Sequence, residues 1–220
     1  MLSRGASNDA EPAWVRWQAW AGLVPLAGYL VTHLIVQASA LFGPHAHARF
    51  AAMGGLWLVP VELVFVYLPL GFHVVLGVGR VRRPATAHAE RGWPGTLGRP
   101  LQQLSGAVLL VFIVSHVWQF RVPAWRGELA PSDYYPELCA SLSTTAWGGI
   151  PIVATGYLLG LAAAALHGAQ GLYHGALSLG WVGASRQRPW GACCRLFGVI
   201  VFGLGASIVI DLATGSVLIR

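Results

Sequence analysis

Five stretches without an ionised side chain, at 17–48, 63–79, 100–120, 138–185 and 196–210, constrain this chain more than any other property. A helix needs about 20 mostly apolar residues to cross a hydrocarbon core roughly 30 Å thick. The tracts therefore predict an all-α integral membrane bundle of five transmembrane helices, with spans at about 18–42, 57–81, 100–120, 147–179 and 190–217. Residues 1–16 read as a polar tail and 17–217 as one membrane domain. With 55% hydrophobic and 10% charged residues, a soluble globule, in which about a quarter of residues are charged, is excluded.

A net charge of +6 raises the question of nucleic acid, but the positions of the basic residues follow membrane topology. All fourteen are Arg. By loop counting, Arg4, Arg16, Arg80, Arg82, Arg83, Arg91, Arg99, Arg186, Arg188 and Arg195 fall on one side, and Arg49, Arg121, Arg126 and Arg220 on the other. This asymmetry predicts a cytoplasmic N-terminus and an external C-terminus. The first apolar stretch is too long for a signal peptide and lacks an Ala-x-Ala exit. Cys139, Cys193 and Cys194 show neither metal spacing nor a disulfide framework and read as structural. The connection 82–99 reads as a cytoplasmic loop and 122–145 as a polar outer loop. No internal repeat is evident.

Five of the eight histidines, His33, His73, His116, His167 and His174, fall inside predicted spans. One buried imidazole is often a hydrogen-bonding link between helices, but four successive spans carrying at least one each point to function. At about 1.5 Å per residue, His33 lies roughly 22 Å above the inner end of span one and His116 roughly 24 Å above that of span three. On the descending spans, His73 is roughly 10 Å from the inner surface and His167 falls in the inner half. Two pairs at two depths follow.

Paired imidazoles across a bundle are what six-coordinate haem iron requires, and filling both axial positions favours electron transfer over oxygen chemistry. The absence of Cys-x-x-Cys-His excludes covalent attachment and implies b-type haem. Beside His167, the small residues Gly156, Gly160, Ala164, Gly168, Gly171 and Gly175 provide either close helix packing or room for a porphyrin edge. His174, seven residues after His167, shares its face and is an alternative ligand, a propionate partner or a quinone contact.

Four blocks resemble the five-helix, two-haem cytochrome b subunit of succinate:quinone oxidoreductase (succinate dehydrogenase or fumarate reductase, complex II). They are Gly22-Leu23-Val24-Pro25 with Leu30-Val31-Thr32-His33-Leu34; Glu62 to His73, enclosing Leu68-Pro69-Leu70; Leu101-Gln102-Gln103-Leu104-Ser105-Gly106 with Ser115-His116-Val117-Trp118; and His167-Gly168-Ala169-Gln170-Gly171-Leu172-Tyr173. The resemblance covers roughly residues 14–200. It implies that His33 and His116 ligate a distal haem iron and that His73 and His167 ligate a proximal one, and it selects His167 over His174. It also implies a bacterial inner (cytoplasmic) membrane, flavoprotein and iron-sulfur partner subunits on the cytoplasmic face, and electron exchange with a membrane quinone, menaquinone in two-haem members. Gln103 stands where the family often has Arg, and Gln18 where some members have His, so Arg99 or Arg16 would supply a cation for haem propionates.

Glu62 reads as the one acid firmly inside a span, either an interfacial carboxylate or a proton-exchange group for a quinone near the outer surface. Gln102 and Ser105 stand at the inner end of span three, where a quinone headgroup, propionates or helix capping would engage them. Trp118, Trp125 and Trp147 read as belt aromatics. No Gly-x-Gly-x-x-Gly fingerprint occurs, so the chain is expected to be the quinone side of an oxidoreductase, with no succinate site of its own. The competing readings are the cytochrome b anchor of another respiratory complex, such as a hydrogenase, and a haem-free proton-coupled transporter.

Overall fold

The computed structural model describes residues 12–53, 58–81, 98–146 and 148–215. Most of the polar tail, the connection 82–97, Trp57, Trp147 and the end of span five near Val217 lie outside the described residues.

Five helices are long and apolar enough to cross a membrane: α1 (Ala13–Phe42), α3 (Val59–Val81), α4 (Gly98–Trp125), α6 (Ile152–Ser178) and α7 (Ala184–Thr214). Two shorter helices, α2 (Pro44–Ala52) and α5 (Tyr134–Leu142), lie in the connections after the first and third spans, at the end of the bundle termed outer below, the end at which α1 begins being termed inner. The described chain is a multi-pass all-α bundle. Along α3, Val61, Leu63, Val64, Phe65, Leu68, Phe72, Val75 and Val78 are exposed, an apolar surface suited to lipid tails and not to water.

Three spans carry a π-helical turn next to a proline: Gly22–Leu26 around Pro25, Leu63–Tyr67 before Pro69, and Val117–Arg121 before Pro123. Proline has no N–H to donate and crowds the carbonyl four residues back. One extra residue per turn relieves that conflict without ending the helix. Span three therefore continues through Pro123 to Trp125, beyond the expected boundary at 120.

The expected outer loop 122–145 is likewise more ordered than its prolines suggest. Pro136 falls in the first turn of α5, where a missing N–H costs no intrahelical bond. Leu138 and Leu142 of α5 pack with Ala40, Leu41, Phe120, Ile208 and Leu212, so this helix covers the outer end of the bundle. Span four starts at Ile152, not near 147, because Gly148 and Gly149 take φ of 79° and 92°. These left-handed values close a tight turn, bridged between Ala146 and Ile150, that cannot be helical.

α6 and α7 form the best-buried pair. Ala163, Ala164, Ala165 and Ala169 are buried on α6, and a Cβ at Gly198 would lie 3.0 Å from the Ala165 carbonyl oxygen. Small residues thus bring two backbones close, which is how apolar helices gain packing energy where lipid competes equally for apolar surface.

Candidate functional site

α1 and α3 form one helical hairpin, and α4 and α6 form a second. The inner histidine of each hairpin is supported in the same way. His73 of α3 donates its Nδ1–H to the Gln18 carbonyl of α1 at 3.2 Å, and its ring lies against Gly22, where a Cβ would come within 3.0 Å of Cε1. His167 of α6 donates its Nδ1–H to the Gln102 carbonyl of α4 at 3.2 Å, and its ring lies against Gly106, where a Cβ would come within 2.9 Å of Cε1. A backbone carbonyl can only accept, so each bond fixes the tautomer and leaves Nε2 with its lone pair.

The two hairpins meet through their imidazoles. The His73 and His167 rings have centroids 6.1 Å apart at 82°, and His33 of α1 and His116 of α4 have centroids 5.8 Å apart at 80°. Each outer ring is stacked on an aromatic residue one turn earlier, Tyr29 at 5.5 Å and 22° and Phe112 at 5.7 Å and 23°. Gln18, Gly22, Tyr29 and His33 on α1 thus correspond to Gln102, Gly106, Phe112 and His116 on α4. Between glycine and histidine α1 has eleven steps and α4 has ten. The π-turn Gly22–Leu26 holds the additional residue. The two hairpins therefore share a local correspondence at four positions, with a one-residue offset between them that a fixed-spacing comparison does not align.

With ten or eleven residues between glycine and histidine, the two pairs lie about 15 Å apart along the bundle. A continuous cavity of about 1410 Å³ connects them, bordered by all four histidines, Gln18, Gln102 and Tyr157. Two facing imidazoles can hold a metal ion along one axis. Among the described residues no three His, Cys, Asp or Glu side chains gather as ligands, so the remaining positions of such an ion need donors that the described side chains do not supply.

The other expected site residues divide. Gln102 borders the cavity, donates from Nε2 to the His167 carbonyl at 3.3 Å, and leaves its buried Oε1 without a partner. Ser105 is buried, donates to the Gln102 carbonyl of its own helix at 3.2 Å, and is not part of the cavity wall. His174 borders the cavity beside Tyr173 and, among the described residues, faces no second histidine. The small-residue stripe of α6 is split. Gly160 receives the Phe112 ring, Gly175 meets the Leu23 side chain and also borders the cavity, and Ala164, Gly168 and Gly171 border the cavity.

Glu62 is ion-paired to Arg121 across α3 and α4, with Oε2 2.6 Å from Nη2 and 2.8 Å from Nε. The partners sit at the margins of two π-turns, and the guanidinium also lies 5.7 Å from the centre of the Trp125 ring. Arg121→Leu is expected to destabilise the bundle by about 1–3 kcal/mol, because Glu62 is only 14% exposed and would lose its counter-ion. The double variant Glu62→Leu/Arg121→Leu should cost less than the sum of the single changes. Thermal midpoints in detergent check both.

Sequence reasoning missed several polar residues. Asp211 is a second acid within a span, 3% exposed in α7. Burial, then Cys139 and Asp211, push the Tyr135 hydroxyl pKa up on the covering helix α5. His47 on α2 is 2% exposed and shares a hydrogen bond of 3.2 Å between its Nε2 and the Gln37 Oε1, and burial pushes its pKa down. Tyr157, whose hydroxyl is 3.1 Å from the His116 Nδ1, carried no motif that could have singled it out. Its spacing from His167, ten residues on the same helix, becomes meaningful only once the helices are placed.

No family model and no solved structure matches the chain. Among curated proteins it is similar to the succinate dehydrogenase cytochrome b558 subunit of Bacillus subtilis (strain 168), with 25% identity over 176 residues, covering 79% of this chain and 83% of that one. This five-span membrane protein is a distant homologue, over most of its length, of that succinate dehydrogenase cytochrome b subunit.

Proposed function

We propose that the chain is the two-haem membrane anchor of a succinate:quinone oxidoreductase, passing electrons between cytoplasmic iron-sulfur and flavoprotein subunits and a membrane quinone. The observation that carries this reading is the duplicated imidazole pair within one cavity. Its volume of about 1410 Å³ exceeds the roughly 300–1,000 Å³ usual for one small-molecule site. The homologue's name adds cytochrome b558 and succinate dehydrogenase to the chemistry.

In this reading His33 and His116 hold the outer b-type haem and His73 and His167 the inner one. Bound haem supplies a one-electron couple, and two imidazoles per iron leave no open position for oxygen. The residues of this chain do the rest. Gln18 and Gln102 fix the inner rings through their carbonyls, and Gly22 and Gly106 let those rings lie against the neighbouring helix. The apolar cavity wall keeps water from the electron path.

For the quinone, proposed to be menaquinone, Gln102 is the headgroup contact at the inner end, braced by Ser105. Glu62, oriented by Arg121, is the proton-exchanging group at the outer end. The Arg distribution supports a cytoplasmic N-terminus and a bacterial cytoplasmic membrane. Purification with copurifying subunits, a reduced-minus-oxidised spectrum and a haem-to-chain ratio test the proposal together. The expected result is two b-type haems per chain with a flavoprotein and an iron-sulfur protein. A preparation without b-type haem refutes it, and a hydrogenase partner reassigns the complex.

A further inference from the structure

The two imidazole pairs differ in what their Nδ1–H groups meet. Both inner rings donate to backbone carbonyls, fixed neutral dipoles; the Gln102 carbonyl also accepts from Ser105 of its own helix, and among the described residues neither carbonyl is joined to a carboxylate. His116 instead meets the Tyr157 hydroxyl at 3.1 Å. That hydroxyl lies 3.2 Å from the Gln119 Oε1, the Gln119 Nε2 lies 2.9 Å from the Ser141 Oγ, and the Ser141 Oγ lies 3.3 Å from the Glu137 Oε1. The chain runs from α4 to α6, back to α4, and out through α5 to an exposed residue.

Its direction is forced from the outer end. An ionised carboxylate only accepts, so Ser141 donates its one hydroxyl proton to Glu137 and must accept from the Gln119 amide nitrogen. The amide oxygen then accepts the phenolic proton of Tyr157. With its proton committed, Tyr157 can only accept from His116, so every donor points outward.

We infer that Tyr157 is a positioning residue for the outer ligand His116, and that the chain Tyr157–Gln119–Ser141–Glu137 links the electron density of that imidazole to a surface carboxylate. Aligned hydrogen bonds polarise one another. A ligating histidine whose other N–H meets a polarised acceptor is the more basic ligand. A more basic ligand favours the oxidised iron, so the outer haem is held at a lower potential than its imidazoles alone would set. Among the described residues the inner pair has no such chain to a carboxylate. The Gln119 amide does not relay protons, so the device tunes an electron site and is not a proton channel.

The inference rests on the haem reading above, and its test separates the two. Potentiometric titration of the intact complex is followed by optical and low-spin resonance spectra, the outer haem being the one lost in His33→Ala. Tyr157→Phe keeps the ring that packs on Phe112 at 5.2 Å and His116 at 5.7 Å, while removing the acceptor. It is expected to shift the outer midpoint upward and leave the inner one unchanged. Ser141→Ala and Glu137→Gln, both on the covering helix, should shift the same haem in the same direction by smaller steps. An unchanged outer midpoint in Tyr157→Phe, or equal shifts of both haems, overturns the inference. If Tyr157→Phe fails to hold the outer haem, an unshifted midpoint in both covering-helix variants overturns it instead. A wild-type complex without b-type haem overturns the functional reading and this inference together, and its empty difference spectrum tells that case apart.

Discussion

His73→Ala is expected to leave the complex with one b-type haem per chain in place of two. On the proposed assignment this imidazole would be one of the two that hold the inner haem, and no other described histidine faces His167. His174 lies on the same helix as His167 and so cannot replace a donor from α3. The outer pair lies about 15 Å away along the helices and shares no side chain with the inner one, so its spectrum should survive. The measurement is the pyridine haemochrome ratio to protein, with a difference spectrum to identify the remaining haem. Two intact haems in this variant would refute the assignment of His73.

Gly106→Ala should approach the same loss without touching a ligand. The added methyl would lie 2.9 Å from Cε1 and 3.0 Å from Nδ1 of His167, closer than carbon atoms in proteins pack. The ring must swing away, breaking its 3.2 Å bond to the Gln102 carbonyl. Overpacking of this kind costs about 1–3 kcal/mol, and here the strain falls on the group that must keep its orientation. Gly156→Ala is the control, because a Cβ there meets nothing within 4 Å. Unaltered haem content in Gly106→Ala would show that the close approach of glycine and imidazole has no part in holding the inner site.

The number of spans was legible because charge-free length is a direct physical requirement of a bilayer. The level of each histidine was legible because helical rise is nearly constant, and a π-turn displaces a residue by only about 1.5 Å. The same extra residue turns everything beyond it by about 100° around the axis, which is why the local correspondence of α1 and α4 was hidden. Gly22 and Gly106 looked like ordinary small residues. Their role depends on which ring crosses above them, and that is a tertiary fact. Helix α5 was read as loop because prolines mark turns, yet a proline in a first turn is compatible with a helix. Asp211 was passed over because an acid near the end of a predicted span reads as solvated, whereas α5 covers it.

Each imidazole pair takes one member from the α1–α3 hairpin and one from the α4–α6 hairpin. That division sets an order of events during synthesis. When the first hairpin has entered the bilayer it holds His33 and His73 at different depths, and neither has its partner. The outer pair is completed by the third span and the inner pair only by the fourth. On the proposed assignment, cofactor capture at the outer pair would follow translation of about half of the chain and at the inner pair of roughly three quarters, and a ribosome stalled after the first hairpin would leave a membrane product with both histidines unmatched.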